Sequence, residues 1–213
     1  MPLSQEALAK ILASGYGWFQ CIPRYRMGDE VISFAVGAHP RNTSLRDVFE
    51  KVVLVNSIYG TNIYNPFKMA EHAHLLSVDS KIRRGDISVV DDLRRGHGLL
   101  RQNGTEWDFY SFATKYSSWH SPELFPIYDG LVKRLLPKLN RTFRFHARFT
   151  QGDLDDYSTL KAVIDSLSDF TRLQHLRYKK IDKGLWIYAK YLYRHNELPN
   201  EITTEIENVA SVA

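Results

Sequence analysis

Phe109-Tyr-Ser-Phe-Ala-Thr-Lys115-Tyr-Ser-Ser-Trp-His120-Ser-Pro-Glu-Leu-Phe-Pro126-Ile-Tyr-Asp129-Gly-Leu-Val132 reads as helix, break, helix. Residues 107–119 keep aromatic and small residues at helical spacing. Ser121-Pro122 then interrupts the run: serine is a preferred N-cap, and proline suits a first turn because it has no amide hydrogen to leave unsatisfied. An irregular link leads to Pro126, from which a second helix is expected to run to about residue 139, with Asp129 in its first turn. An aspartate there can cap the helix, accept backbone hydrogen bonds and project into a cleft between two helices. On the first helix, Phe112 and Trp119 share a face with Lys115. Desolvation on such a face disfavours the ammonium form and frees the amine as a nucleophile. The same residues also have plain structural readings. Lys115 can snorkel to the surface, Asp129 can be a cap alone, and Trp119 and His120 can pack and cap rather than recognise a base.

The flanking sequence is helical as well. Ser44 with Asp47 is a capping-box variant, followed by Leu45, Val48, Val52, Val55 and Ile58 on one apolar face. Asn65-Pro66 opens a helix that runs to about residue 76. Residues 82–86 turn around Gly85, and a short helix covers 89–94. Gly96, Gly98, Asn103 and Gly104 then make a loop. Asp153 or Asp155 is expected to cap a helix carrying Leu160, Ile164, Leu167 and Phe170. The last strong helix carries Tyr178, Ile181, Leu185, Tyr188 and Leu192, a stripe too short for a coiled coil and therefore read as core. Near the N-terminus, residues 4–13 form a short amphipathic helix. Residues 16–43 differ, because Gly17, Pro23, Gly28, Gly37 and Pro40 punctuate them. Val31-Ile-Ser-Phe-Ala-Val36 is the best strand in the chain, expected in a short β-hairpin. The expected organisation is a helix and loop-rich lead-in over 1–43, a helical domain over 44–199 and a flexible tail over 200–213.

The chain has 213 residues, enough for one domain or one domain with an appendage. Its 44% hydrophobic and 24% charged residues are those of a globular protein. The single cysteine, Cys21, allows neither an internal disulfide nor a Cys-pair metal site and suits a reducing cytosol. The N-terminal stretch is too short and charged for a secretory signal, and no apolar run approaches the roughly 20 residues that cross a bilayer. A cytoplasmic protein with no membrane association is expected. His72 and His74 sit two apart and so face different sides of a helix. With no Gly-rich phosphate loop and no G-x-S-x-G elbow, neither a metal nor a cofactor is expected.

Net charge is only +4, but its distribution is uneven. No acidic residue lies between Asp129 and Asp153, whereas Lys133, Arg134, Lys138, Arg141, Arg144 and Arg148 all do, with Phe143, Phe145 and Phe149 alternating near the end. Cations that pair with phosphates and aromatics that stack on bases suggest nucleic acid, here DNA. A solvated helix end running into a core-packed segment fits the same pattern. A second basic cluster, Arg177, Lys179 and Lys180, offers another path.

A lysine among small and aromatic residues, then Pro122-x-x-x-Pro126, a hydrophobic residue, Asp129 and Val132, resembles the helix-hairpin-helix DNA glycosylases, especially the oxoguanine-glycosylase-like bacterial proteins. Tyr59-Gly-Thr61, Met69-Ala70, Arg84-Gly85-Asp86 and Ile181-Asp-Lys-Gly-Leu-Trp186 are similar too, so the likeness covers roughly residues 44–190. The resemblance implies an all-α, two-lobed fold and a monomeric DNA N-glycosylase without cofactor. Its lysine nucleophile maps to Lys115. The aspartate that stabilises the sugar cation maps to Asp129, with Pro126-Ile-Tyr-Asp129 holding one residue more than the usual Pro-Val-Asp step. Phe112, Trp119, His120 and Tyr128 are then expected to receive the flipped base. The Leu-Pro-Gly-x-Gly hairpin that offers amides to a DNA phosphate is absent, and Ser111-Phe-Ala-Thr114 stands in its place. The basic stretch 133–148 is the expected substitute. A damaged or modified base would be removed, with or without strand cleavage, in base-excision repair or in defence against modified phage DNA. Two other classes fit the residues: a non-catalytic nucleic-acid-binding module, and a helical toxin–antitoxin or protein-interaction component.

Overall fold

Polar caps set the starts of five helices in the computed structural model, which describes residues 3–211. Helix α1 (Gln5–Cys21) begins at Ser4, whose hydroxyl accepts the Ala7 amide at 3.1 Å. Helix α3 (Leu45–Tyr59) starts at Ser44 and stops at Gly60, which takes the left-handed conformation that glycine adopts at little cost. Asn65 caps α4 (Pro66–Leu75), Asp129 caps α8 (Gly130–Phe143), and Asp156 caps α9 (Tyr157–Thr171) behind a 3-10 turn over Asp153–Asp155. The remaining helices are α2 (Pro23–Ala38), α5 (Asp79–Arg84), α6 (Ser88–Arg94), α7 (Tyr110–His120), α10 (Tyr178–Tyr193) and α11 (Asn200–Ser211). The fold is all-α. No described helix is long and apolar enough to cross a membrane.

The expected hairpin is not formed. Residues 31–36 lie inside α2, and the described residues hold no strand, only an isolated antiparallel bridge between Leu100 and Glu106. The β-branched propensity of Val31 and Ile32 is outweighed by burial at helical spacing. Asp29, Ile32 and Ala35 are covered while Val31 and Phe34 stay exposed. Pro23 sits in the first turn of α2, where it starts the helix instead of breaking it. Gly28 is a packing glycine, since a Cβ there would stand 2.9 Å from Ile58 Cγ2. Three further boundaries move. Ser121 ends α7 and caps no new helix; α8 begins at Gly130, so Asp129 is its cap instead of a first-turn residue. Residues 200–211 form α11, which buries Ile202, Thr203 and Ile206, in place of a frayed tail.

The chain divides into two compact units. Unit 1 holds the residues up to Arg26 and those from Tyr128 onward, and unit 2 is the continuous segment Met27–Ile127. The division follows neither the 43/44 nor the 199/200 boundary. Within unit 1, α1 lies along α10, with α8, α9 and α11 around them; Leu8, Ile11, Ile164, Leu167, Leu185 and Ile206 make its core. Ile181, Leu185 and Tyr188 of the α10 stripe are buried, and Leu192 is exposed. Within unit 2, α3 packs on α4 and α6 on α7, around Val48, Val52, Met69, Leu93 and Phe112.

Unit 2 also encloses a polar cluster. The Lys51 ammonium, with almost no exposed surface, donates to the His39 carbonyl (2.9 Å), the Arg41 carbonyl (3.0 Å) and Asn42 Oδ1 (2.8 Å). Asn42 Oδ1 also accepts from the Tyr116 hydroxyl, and Asp79 accepts from the Asn42 amide and side chain. Burial outweighs the attraction of Asp79, Asp47 and Glu50 and pushes the Lys51 pKa down to about 8. The cluster fixes the segment leading into α3.

Candidate active site

Asp129 is half-buried at the N-terminus of α8, where Oδ1 accepts the amides of Leu131 at 2.8 Å and Val132 at 3.4 Å. These bonds fix its rotamer. Its residue helps to line a cavity of about 590 Å³ in unit 1, together with Arg24, Tyr25, Arg134, Trp186 and Lys190. Lys190 is the buried cation of the cavity. It bonds the Tyr25 hydroxyl at 2.9 Å, pairs with Glu197, and stands 4.8 Å from the centre of the Trp186 ring. The hydrogen bond from Lys190 holds the Glu197 carboxyl below the usual carboxylate range. Tyr25 and Trp186 meet edge to face at 4.9 Å. Arg24, Arg134, Lys190 and Arg194 outnumber Asp129 and Glu197 around this space. Such a wall can hold an anionic group beside a flat ring while presenting one fixed carboxylate.

Lys115 belongs to unit 2. It is buried on α7, donates to the Ser111 hydroxyl one turn back, and lies 5.4 Å from the centre of the Tyr59 ring. Phe112 is wholly buried and packs on Tyr116 at 5.4 Å between ring centres. Trp119 is buried with its indole N–H on the Tyr59 hydroxyl at 3.2 Å. His120 Nε2 is buried without a hydrogen-bond partner, and burial, aided by the Lys51 charge, holds the imidazole pKa at about 4. That ring is neutral at physiological pH. Tyr128, in unit 1, is half-buried beneath the Lys133 ammonium, 5.5 Å from its ring centre. Thus Phe112, Lys115, Trp119 and His120 lie in one unit, and Tyr128 and Asp129 lie in the other.

The six basic residues after Asp129 sort into two sets. Lys133 pairs with Asp155 at 2.6 Å, and Arg134 and Lys138 both stand over the Tyr193 ring, at 4.5 and 4.7 Å. Arg141, Arg144 and Arg148 instead line a second cavity of unit 1, about 640 Å³ in volume. Phe143 and Phe145 pack on Phe170 of α9, and Phe149 packs on His146. In the other basic cluster, Lys180 lies 5.7 Å over the Tyr16 ring. Among the described residues no group of three or more His, Cys, Asp or Glu side chains is arranged to hold a metal ion.

Tyr25, Trp186 and Lys190 were not legible as site residues. Trp186 and Lys190 are one turn apart on α10, the spacing of an ordinary helix face, and Tyr25 comes from the opposite end of the chain. No local pattern links them.

A family model described as HI_0787_N, an N-terminal domain, matches residues 13–124, which include Lys115 and stop short of Asp129. A protein of Haemophilus influenzae described as uncharacterized is 35% identical over 153 residues, covering 71% of this chain and 71% of its own length. No solved structure matches the chain.

Proposed function

We propose, for a chain that belongs to the HI_0787_N family, that it is a DNA N-glycosylase removing a damaged or modified base. The observation that supports this reading most is Asp129, a carboxylate held by two amides on the wall of a cavity rich in aromatic and cationic groups. Breaking an N-glycosidic bond leaves positive charge on the sugar, and a preorganised carboxylate stabilises that charge where it develops. The Tyr25 and Trp186 rings offer a surface for an unstacked base, and the surrounding cations suit the phosphates on either side of it. Lys115 is the proposed nucleophile. Its amine adds to the anomeric carbon as the base departs with the bonding electron pair and takes up a proton; loss of the amine proton and opening of the sugar ring then give a Schiff base. Repair of damaged DNA and attack on modified phage DNA both use this chemistry.

The test is incubation of the protein with duplexes carrying a panel of damaged and modified bases, with abasic sites revealed by alkaline cleavage. Release of at least one base, abolished in Asp129→Asn, is the expected result. DNA binding without release from any substrate would replace this reading with the non-catalytic nucleic-acid module.

A further inference from the structure

The loop after α8 has a fixed backbone, and its arginine side chains have no partner among the described residues. Asn140, buried in the last turns of the helix, holds the loop from both ends of its amide: Nδ2 donates to the Ala147 carbonyl at 3.0 Å, and Oδ1 accepts the His146 amide at 2.9 Å. His146 is tied in turn to the Ser166 hydroxyl at 2.8 Å. At the far side, Asp153 accepts from both the amide and the hydroxyl of Thr150. Arg144 caps the helix at φ +54°, a left-handed position at which glycine is the usual residue. The chain therefore keeps an arginine where the local backbone favours its absence.

Arg141, Arg144 and Arg148 surround the cavity at this loop, together with His146, Phe149 and Thr150, and among the described residues no Asp or Glu lines it. Among the described residues none of the three guanidinium groups forms a hydrogen bond or an ion pair, in contrast to Lys133, Arg134 and Lys138, each of which has a carboxylate or an aromatic ring. Three like charges at one cavity repel each other in the absence of a ligand, and an anion removes that repulsion. Guanidinium groups bind phosphate oxygens in pairs through their forked donors. A phosphomonoester, with nearly two negative charges at pH 7, matches three cations better than an internal phosphodiester with one.

We propose that this cavity is a binding site for the terminal phosphate of a DNA strand. The inference rests on the nucleic-acid reading of the chain; it requires neither base excision nor Asp129. It also separates Arg141, Arg144 and Arg148 from a continuous basic path through Lys133, Arg134 and Lys138.

The experiment compares binding of the full chain to one oligonucleotide in three forms: phosphorylated at the 5′ end, phosphorylated at the 3′ end, and hydroxyl at both. Inorganic phosphate is the competitor. The expected result is at least about tenfold tighter binding of one phosphorylated form, the scale of charge-assisted hydrogen bonds, with free phosphate competing only weakly. Arg141→Gln, Arg148→Gln and Arg144→Gly should each lose that preference. The two glutamine variants should keep the parent's melting temperature, since neither side chain has a partner among the described residues, and Arg144→Gly should melt no lower, because glycine suits the left-handed backbone there. Asp129→Asn should keep it, which distinguishes this site from the proposed excision. Equal binding of the phosphorylated and hydroxyl forms overturns the proposal. So does a preference that survives the three substitutions, or free phosphate binding as tightly as the strand.

Discussion

Gly15 of α1 and Gly184 of α10 are in backbone contact: a Cβ on Gly15 would stand 2.5 Å from Gly184 Cα, and one on Gly184 would overlap the Leu12 carbonyl. The two helices that form the spine of unit 1 approach closely because neither carries a side chain at the crossing. Neither backbone can move aside without opening the core. Gly184→Ala is therefore expected to cost at least about 2 kcal/mol in urea unfolding, the scale of overpacking against a rigid neighbour. Gly17→Ala on α1 faces open space and should stabilise by about 0.5–1 kcal/mol, because alanine restricts the unfolded chain. Equal effects at the two positions would contradict the crossing.

Asp129 is both a cap and the proposed catalytic carboxylate, and two substitutions separate the roles. Asparagine is as good a cap as aspartate, so Asp129→Asn should melt like the parent while base excision falls by about 10²–10³-fold. Asp129→Ala should lose the same activity and about 1 kcal/mol of stability as well. Full excision by a folded Asp129→Asn variant removes the residue from the mechanism.

Borohydride reduction tests Lys115, because it converts a lysine Schiff base into a stable amine. A covalent protein–DNA complex is expected with the parent chain and none with Lys115→Gln, since an amide forms no imine. Excision without trapping would make water the nucleophile and leave Asp129 in place. A trapped complex that persists in Lys115→Gln would assign the chemistry to another amine.

The buried Lys51 makes stability rise with pH. Its folded pKa, about 8, lies below the unfolded value of 10.5, so between these values the unfolded chain binds the additional proton. Below about pH 8 the folded state bears the full desolvation cost, and from there to about pH 10.5 the cost disappears, a gain on the order of 3 kcal/mol. Unfolding measured from pH 7 to 10 should show this upward component in the parent and not in Lys51→Met. Parallel pH profiles would refute it.

The helix starts were legible because capping is local. Ser44 and Asn65 each accept an amide three residues on, and the sequence within one turn suffices to identify them. Asp129 was legible for the same reason, although its helix begins four residues later than Pro126 suggested. Residues 31–36 were misread because β-branched propensity is weak against the burial of Ile32 and Ala35, and burial is a property of neighbours distant in sequence.

The sequence by itself thus determined the helical class and the caps at Ser44, Asn65 and Asp129, since each depends on residue types a few positions apart; the cap expected at Asp153 or Asp155 lies at Asp156. Only the tertiary structure decided which basic groups are already engaged and which are free. Lys133 meets Asp155, and Arg134 and Lys138 meet Tyr193, while Arg141, Arg144 and Arg148 meet no partner among the described residues. It also brought Tyr25 to Trp186 and Lys190 beside Asp129. Charge and aromaticity are written in the chain, but their neutralisation and stacking depend on contacts a few ångströms long between residues far apart in sequence. The packing of α1 on α10 brings such residues together in unit 1.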